Sequence, residues 1–271
     1  MDTSEKRFEQ DIESFLVSEA GGYEQFSYLN PDGHRIHKYA FDKDKGIYPE
    51  VFVNFVMRTQ PKQWARYVKY YGDEAQDKLY RRLEDSIVKH GLVYVLKNGF
   101  EDMGIKIKVC YFKPESDLNQ NDTALYNENI LGVTRQFGYS KFNSNTIDMV
   151  LSINGIPVVA LELKNQYKGQ NVDNAVEQYK TDRDPKEFCF RFNHRFLVYF
   201  AVDLYEARMT TCLQGADTRF MPFNQGSNGA GNTGQTPTAT RRRTCGKRCC
   251  NATVCLTLYI GLLWTCERKR K

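Results

Sequence analysis

Three ionisable residues stand where the surrounding sequence is apolar. Asp148 lies in TIDMVLSI (146–153), between Ile147 and Met149, and Glu162 and Lys164 close the run IPVVALELK (156–164). That second run is almost continuously apolar and reads as a central strand covered on both faces. Glu162 and Lys164, two residues apart, then share a face. Ionised groups at the end of a buried strand are costly unless they pair with each other or hold a metal. Two carboxylates and an ammonium converging at one place suit a divalent cation and an activated water. The bland alternative is a solvated ion pair at a strand edge.

Whether Asp148 meets Glu162 depends on the connection between the two runs. Asn154-Gly155 between apolar segments is a hairpin signal. A two-residue loop sets Asp148 against Leu161, on the wrong side from Glu162. A three-residue loop of Ile153, Asn154 and Gly155 sets it against Ala160 and hence on one face with Glu162 and Lys164. The reading that assembles the site therefore predicts the three-residue loop, with a bulge and Gly155 left-handed.

These residues need a scaffold. The chain has 271 residues, 41% hydrophobic and 26% charged, enough for a sizeable core without disulfides or metals. SEKRFEQDIESFLVSEAGGY (4–23) predicts a helix with Phe8, Ile12, Phe15 and Leu16 on its apolar stripe. A second helical region is expected from about Pro61 through Lys97. Strands are predicted over 105–112, 130–140, 146–153 and 156–164, then a polar helix over 171–183, then strands over 195–203 and 206–213. This order predicts an α/β fold, a mixed central sheet flanked by helices.

A linker-like stretch, GSNGAGNTGQTPTAT (226–240), follows, and no Asp or Glu occurs between Thr218 and Cys266. Residues 241–271 hold nine Lys or Arg and one acid, Glu267, so residues 1–240 carry a net charge of −3. Five cysteines crowd this tail, against Cys110, Cys189 and Cys212 in the rest. Residues 1–225 are read as the folded domain and 226–271 as linker and basic tail. The tail cysteines lack paired C-x-x-C spacing, which weakens a zinc reading. Its apolar run, Ala252 to Trp264, is shorter than a membrane span. No membrane partner is expected, and an N-terminus without an apolar h-region leaves a cytoplasmic address as the expectation.

Asp148 … Glu162-Leu163-Lys164 resembles the Asp … Glu-x-Lys core of PD-(D/E)xK nucleases. The wider text, TIDMVLSINGIPVVALELKNQYKGQNVDNAVEQYKTDRDP (146–185), with FEQDIES near the start and FMPFNQGSNGAGN after the strands, resembles the N-terminal nuclease domain of type I restriction enzyme R subunits. The resemblance implies a restriction-endonuclease-like fold and Mg²⁺-dependent cleavage of double-stranded DNA. Asp148 and Glu162 would hold Mg²⁺, and Lys164 would orient the attacking water and stabilise charge on phosphate. Gln178 matches the family's helix glutamine. The tyrosine expected four residues later is replaced by Asp182, with Tyr179 nearby. A glutamate on the first helix is also implied at the metal, by resemblance Glu9; spacing alone leaves Glu9 and Glu13 open.

In the intact family the resemblance implies ATP-driven translocation with specificity and methylation subunits. No G-x-x-x-x-G-K-[ST] loop occurs in this chain, so ATP is not expected to bind by that route. The chain reads as a nuclease domain cut off before the motor. Back-translated codons for Thr238 to Thr257, read one nucleotide earlier, resemble the family's continuation, so the tail is read as disordered or frameshift-derived. The competing functional readings are an inactive truncated remnant and a non-enzymatic DNA- or membrane-binding module using the basic tail.

Overall fold

The computed structural model describes residues 5–223, except 31, 33, 115–118 and 166–168. In chain order the helices are α1 (Glu5–Val17), α2 (Pro49–Thr59), α3 (Pro61–Tyr71), α4 (Ala75–His90), α5 (Leu92–Asn98), α6 (Gln120–Asn127) and α7 (Val172–Thr181). The strands are β1 (Glu24–Gln25), β2 (Ser27–Leu29), β3 (Arg35–His37), β4 (Phe100–Asp102), β5 (Ile105–Ile107), β6 (Leu131–Gly138), β7 (Thr146–Ile153), β8 (Ile156–Leu163), β9 (Val198–Val202), β10 (Ala207–Thr210) and β11 (Met221–Pro222). The tail from 226 onward, with its zinc, membrane and frameshift readings, lies outside the described residues.

The fold is α/β, as expected. Its main sheet has seven strands in the order β1-β6-β7-β8-β9-β10-β11. β8 is central, antiparallel to β7 and parallel to β9. Every β8 residue is buried, as its continuous apolar run requires. Alternation sends Met149, Leu151, Leu161, Leu163 and Phe200 into one apolar cluster, shared with Phe8, Ile12 and Leu16 of α1 and the stripes of α2 to α5. It sends Val150, Ala160, Tyr199 and Ala201 into a second cluster, capped by Val172, Ala175 and Tyr179 of α7. Among the described residues, no helix is long and apolar enough to cross a membrane.

Several expectations need correction. The strand predicted over 105–112 shortens to Ile105–Ile107 and pairs only with Phe100–Asp102, outside the main sheet. The helical region from Pro61 is three helices, because Gly72 and Gly91, at φ 54° and 81°, interrupt it. Helix α2, opened by Pro49 and buried through Val51, Phe52, Val53, Phe55 and Val56, with Glu50, Asn54, Met57 and Arg58 exposed on its other face, was not predicted.

The predicted three-residue loop is also wrong. Ile153 pairs with Ile156, so the turn has two residues, with Asn154 at φ 48° and Gly155 at φ 83°. Both central residues are left-handed, the geometry that matches hairpin twist. Asn154 is buried and held there: Nδ2 donates to Val109 O (2.9 Å) and Asn129 Oδ1 (3.0 Å), and Oδ1 accepts from Ile130 N–H (2.7 Å). The extra residue sits farther along. Leu151 pairs with Val159 and Ser152 with Pro157, so Val158 is the bulged residue. Beyond the bulge Met149 pairs with Leu161, and the next residues outward, Asp148 and Glu162, face each other on one side of the sheet.

Candidate active site

The β7–β8 ladder thus brings Asp148 and Glu162 together by a bulge rather than by a longer turn. Both are buried, Glu162 completely. Leu163 N–H donates to Asp148 Oδ2 at 2.8 Å, fixing that carboxylate against the end of β8. Lys164 follows directly, buried, its N–H bonded to Val202 O at 2.8 Å. Its ammonium is close enough to favour the ionised form of Glu162. Asp148, Glu162 and Lys164 are therefore one electrostatic unit.

Sequence reasoning missed the partner of Glu162. Arg183, just past α7, donates from Nη2 (2.6 Å) and Nε (3.0 Å) to Glu162 Oε1, and from Nη2 to Thr146 O (2.8 Å). Its guanidinium also lies over the Tyr139 ring, 5.5 Å from the centroid. Nothing in the spacing around Arg183 points to Glu162. The other carboxylate oxygen, Oε2, is buried with no hydrogen-bond partner among the described residues. Burial, reinforced by the neighbouring Asp148 charge, pushes the Glu162 carboxyl up to about 8, although Arg183 and Lys164 pull the other way. A carboxylate oxygen held dry and unpartnered beside a second carboxylate fits a divalent cation, since oxygen donors of this kind are what Mg²⁺ takes.

The first-helix glutamates are separated by the structure. Arg135 on β6, also unforeseen, donates from Nε to Glu9 Oε2 (3.0 Å) and from Nη1 to Glu13 Oε2 (3.3 Å). Only Glu9 is linked onward: Gln136 Nε2 donates to Glu9 Oε1 (2.9 Å) and to Asp148 Oδ1 (3.3 Å). Burial raises the Glu9 carboxyl despite Arg135, and the Asp148 charge adds to the rise. Glu13 Oε1 is buried without a partner. Among the described residues no group of three or more His, Cys, Asp and Glu side chains forms a metal cluster, so the convergent pair is Asp148 with Glu162, and Glu9 stands one amide away.

Helix α7 begins at a capping box in which Asn171 accepts from Asn174 N–H, and Asn174 Oδ1 accepts from Asn171 N–H. Gln178 is half-buried on it, and its side chain makes no hydrogen bond with the described residues. Tyr179 is fully buried and donates to Phe200 O at 3.3 Å; burial and the Glu162 charge push its hydroxyl well above the usual tyrosine range. So α7 places Tyr179 in the field of the carboxylates.

A family model described as the type I restriction enzyme R protein N terminus matches residues 4–218 of the 271-residue chain. A search of curated proteins gave no match.

Proposed function

Because the chain belongs to the family of type I restriction enzyme R protein N termini, we propose that it is a Mg²⁺-dependent nuclease domain hydrolysing phosphodiester bonds of double-stranded DNA. The observation that supports this most is the juxtaposition of Asp148 with the unpartnered Oε2 of buried Glu162. A divalent cation held by these two residues supplies Lewis acidity and a water of lowered pKa. Lys164 adds fixed positive charge where negative charge develops on phosphate, in a water-poor site where such charge acts strongly. Arg183 holds Glu162 Oε1 through two hydrogen bonds and so fixes the set of the carboxylate. Glu9 is proposed as an additional acidic group reached through Gln136, and Gln178 as a polar group of α7 facing substrate.

DNA and the specificity and methylation subunits of a restriction complex are the proposed partners, with action in the cytoplasm. A net charge of −3 over residues 1–240 suits a domain delivered to DNA by partners more than one gripping phosphates alone. The test is calorimetric titration of Mg²⁺ into the wild-type chain and Asp148→Ala. Binding in the wild type that vanishes in the variant supports the reading. A folded wild type that binds no Mg²⁺, or a variant that binds it equally well, overturns it.

A further inference from the structure

Gln136 is the strained residue of the site. It lies inside β6 at φ 49°, a left-handed conformation that costs a non-glycine residue energy and persists only where the surroundings enforce it. The ladder steps around it: Arg135 pairs with Met149 and Phe137 with Ile147, while Gln136, between them, is absent from the paired positions. In exchange, its side chain is fully used. Nε2 donates to Glu9 Oε1 (2.9 Å) and Asp148 Oδ1 (3.3 Å), and Oε1 accepts from Thr146 Oγ1 (2.9 Å). The chemistry fixes the orientation of this amide, because ionised carboxylates only accept and the hydroxyl can donate.

We infer that Gln136 is a positioning residue for the cation centre, locking the Asp148 carboxylate in plane and spacing it from Glu9. This rests on the cation reading of Asp148 and Glu162. Asp148 has two anchors, Leu163 N–H on Oδ2 and the Gln136 amide on Oδ1. The first comes from β8 itself and holds the carboxylate to the strand of Glu162. The second comes from the opposite neighbour in the sheet and sets its rotation about the side-chain axis. The same amide places hydrogen between two negative groups, Glu9 on α1 and Asp148 on β7. Outer partners of this kind hold a metal ligand in the geometry it needs before the metal arrives.

The backbone supplies a clean test. Glycine takes φ 49° without steric cost, so Gln136→Gly deletes the amide while easing the strained bend. Titration of Mg²⁺ and of Mn²⁺ into the full-length chain, with thermal melts alongside, compares wild type, Gln136→Gly, Gln136→Asn and Asp148→Ala. Asparagine also tolerates the left-handed backbone, and its shorter side chain cannot span both carboxylates, so it serves if the glycine variant fails to fold. The expected result is cation binding weakened by about 10- to 100-fold in both Gln136 variants, with melting temperature unchanged or higher in Gln136→Gly. Cation affinity equal to wild type in the Gln136 variants, while Asp148→Ala loses binding, overturns the inference alone. A lowered melting temperature with unchanged affinity overturns it too, since that is what a purely structural residue does. Equal binding by wild type and Asp148→Ala, or none by either, overturns the cation reading and the inference with it.

Discussion

Two buried carboxylates in this molecule have opposite surroundings. Asp102 on β4 is closed: Oδ2 accepts from Tyr67 Oη (2.7 Å) and Tyr71 Oη (2.8 Å), and Oδ1 meets Arg82 Nε at 3.1 Å. Glu162 on β8 is half open: Arg183 saturates Oε1, and Oε2 has no partner. Both groups are buried and both face an arginine. Burial of a charge without full pairing is expensive, so the closed cluster is what a fold needs for its own stability. The open one keeps an oxygen unsatisfied beside Asp148, a cost that packing alone gives no reason to retain. The same pairing of arginine with carboxylate thus closes a cluster in one place and leaves a buried oxygen without a partner in the other.

The sharpest way to break this contrast is to neutralise the open oxygen. Glu162→Gln keeps shape and can still accept from Arg183, and it removes an anionic donor. Cleavage of DNA by the reconstituted complex should fall by about a thousandfold, the scale seen when a stabilising group leaves a catalytic centre. Folding should be nearly unaffected near neutral pH, because a carboxyl pushed up to about 8 is largely protonated there and an amide resembles it. Cleavage within tenfold of wild type would remove Glu162 from the chemistry.

The mirror experiment is Asp102→Ala. It strands the hydroxyl of the fully buried Tyr67 and leaves Arg82 with Asp85 as its remaining carboxylate, so unfolding by urea should show a loss of about 1–3 kcal/mol. Mg²⁺ affinity of the folded protein should not move. A variant that lost cation binding as completely as Asp148→Ala would show that the two clusters are not separable.

The sequence announces these two clusters unequally. Asp148, Glu162 and Lys164 were legible because charges punctuate runs that must be buried, and a period of two tells which of them share a face. What brings them together differs from the expected longer turn: the extra residue is Val158, within β8. A signal was present in Pro157, since proline inside a central strand marks a bulge. Arg183, Arg135 and Gln136 were illegible for a different reason. Each reaches its carboxylate across the tertiary structure, Arg183 from the end of a helix 21 residues from Glu162 and Arg135 over a separation of 126 from Glu9. No local period encodes such contacts. Helix α1 and the β7–β8 hairpin were readable from apolar spacing. Helix α2 carries the same kind of pattern, Val51, Phe52, Val53, Phe55 and Val56 buried against exposed Glu50, Asn54, Met57 and Arg58, so its omission has no structural explanation.

The finest test of the open cluster is its response to pH. The Glu162 carboxyl ionises near pH 4.5 when unfolded and near 8 when folded, so between those values the folded chain binds more protons than the unfolded one. Its contribution to stability is therefore complete below about 4.5 and is lost as pH rises through about 8. In urea titrations from pH 5 to 9, wild type should lose stability relative to Glu162→Gln by at most about 1.4 kcal/mol per pH unit, the limit for one proton. Mg²⁺ works in the opposite sense, because it requires the deprotonated carboxylate. Its affinity for wild type should climb by up to about tenfold per unit towards pH 8 and level off beyond it. A wild-type stability curve parallel to that of Glu162→Gln would mean that Glu162 is not held dry, and the half-open cluster would then be no different from the closed one at Asp102.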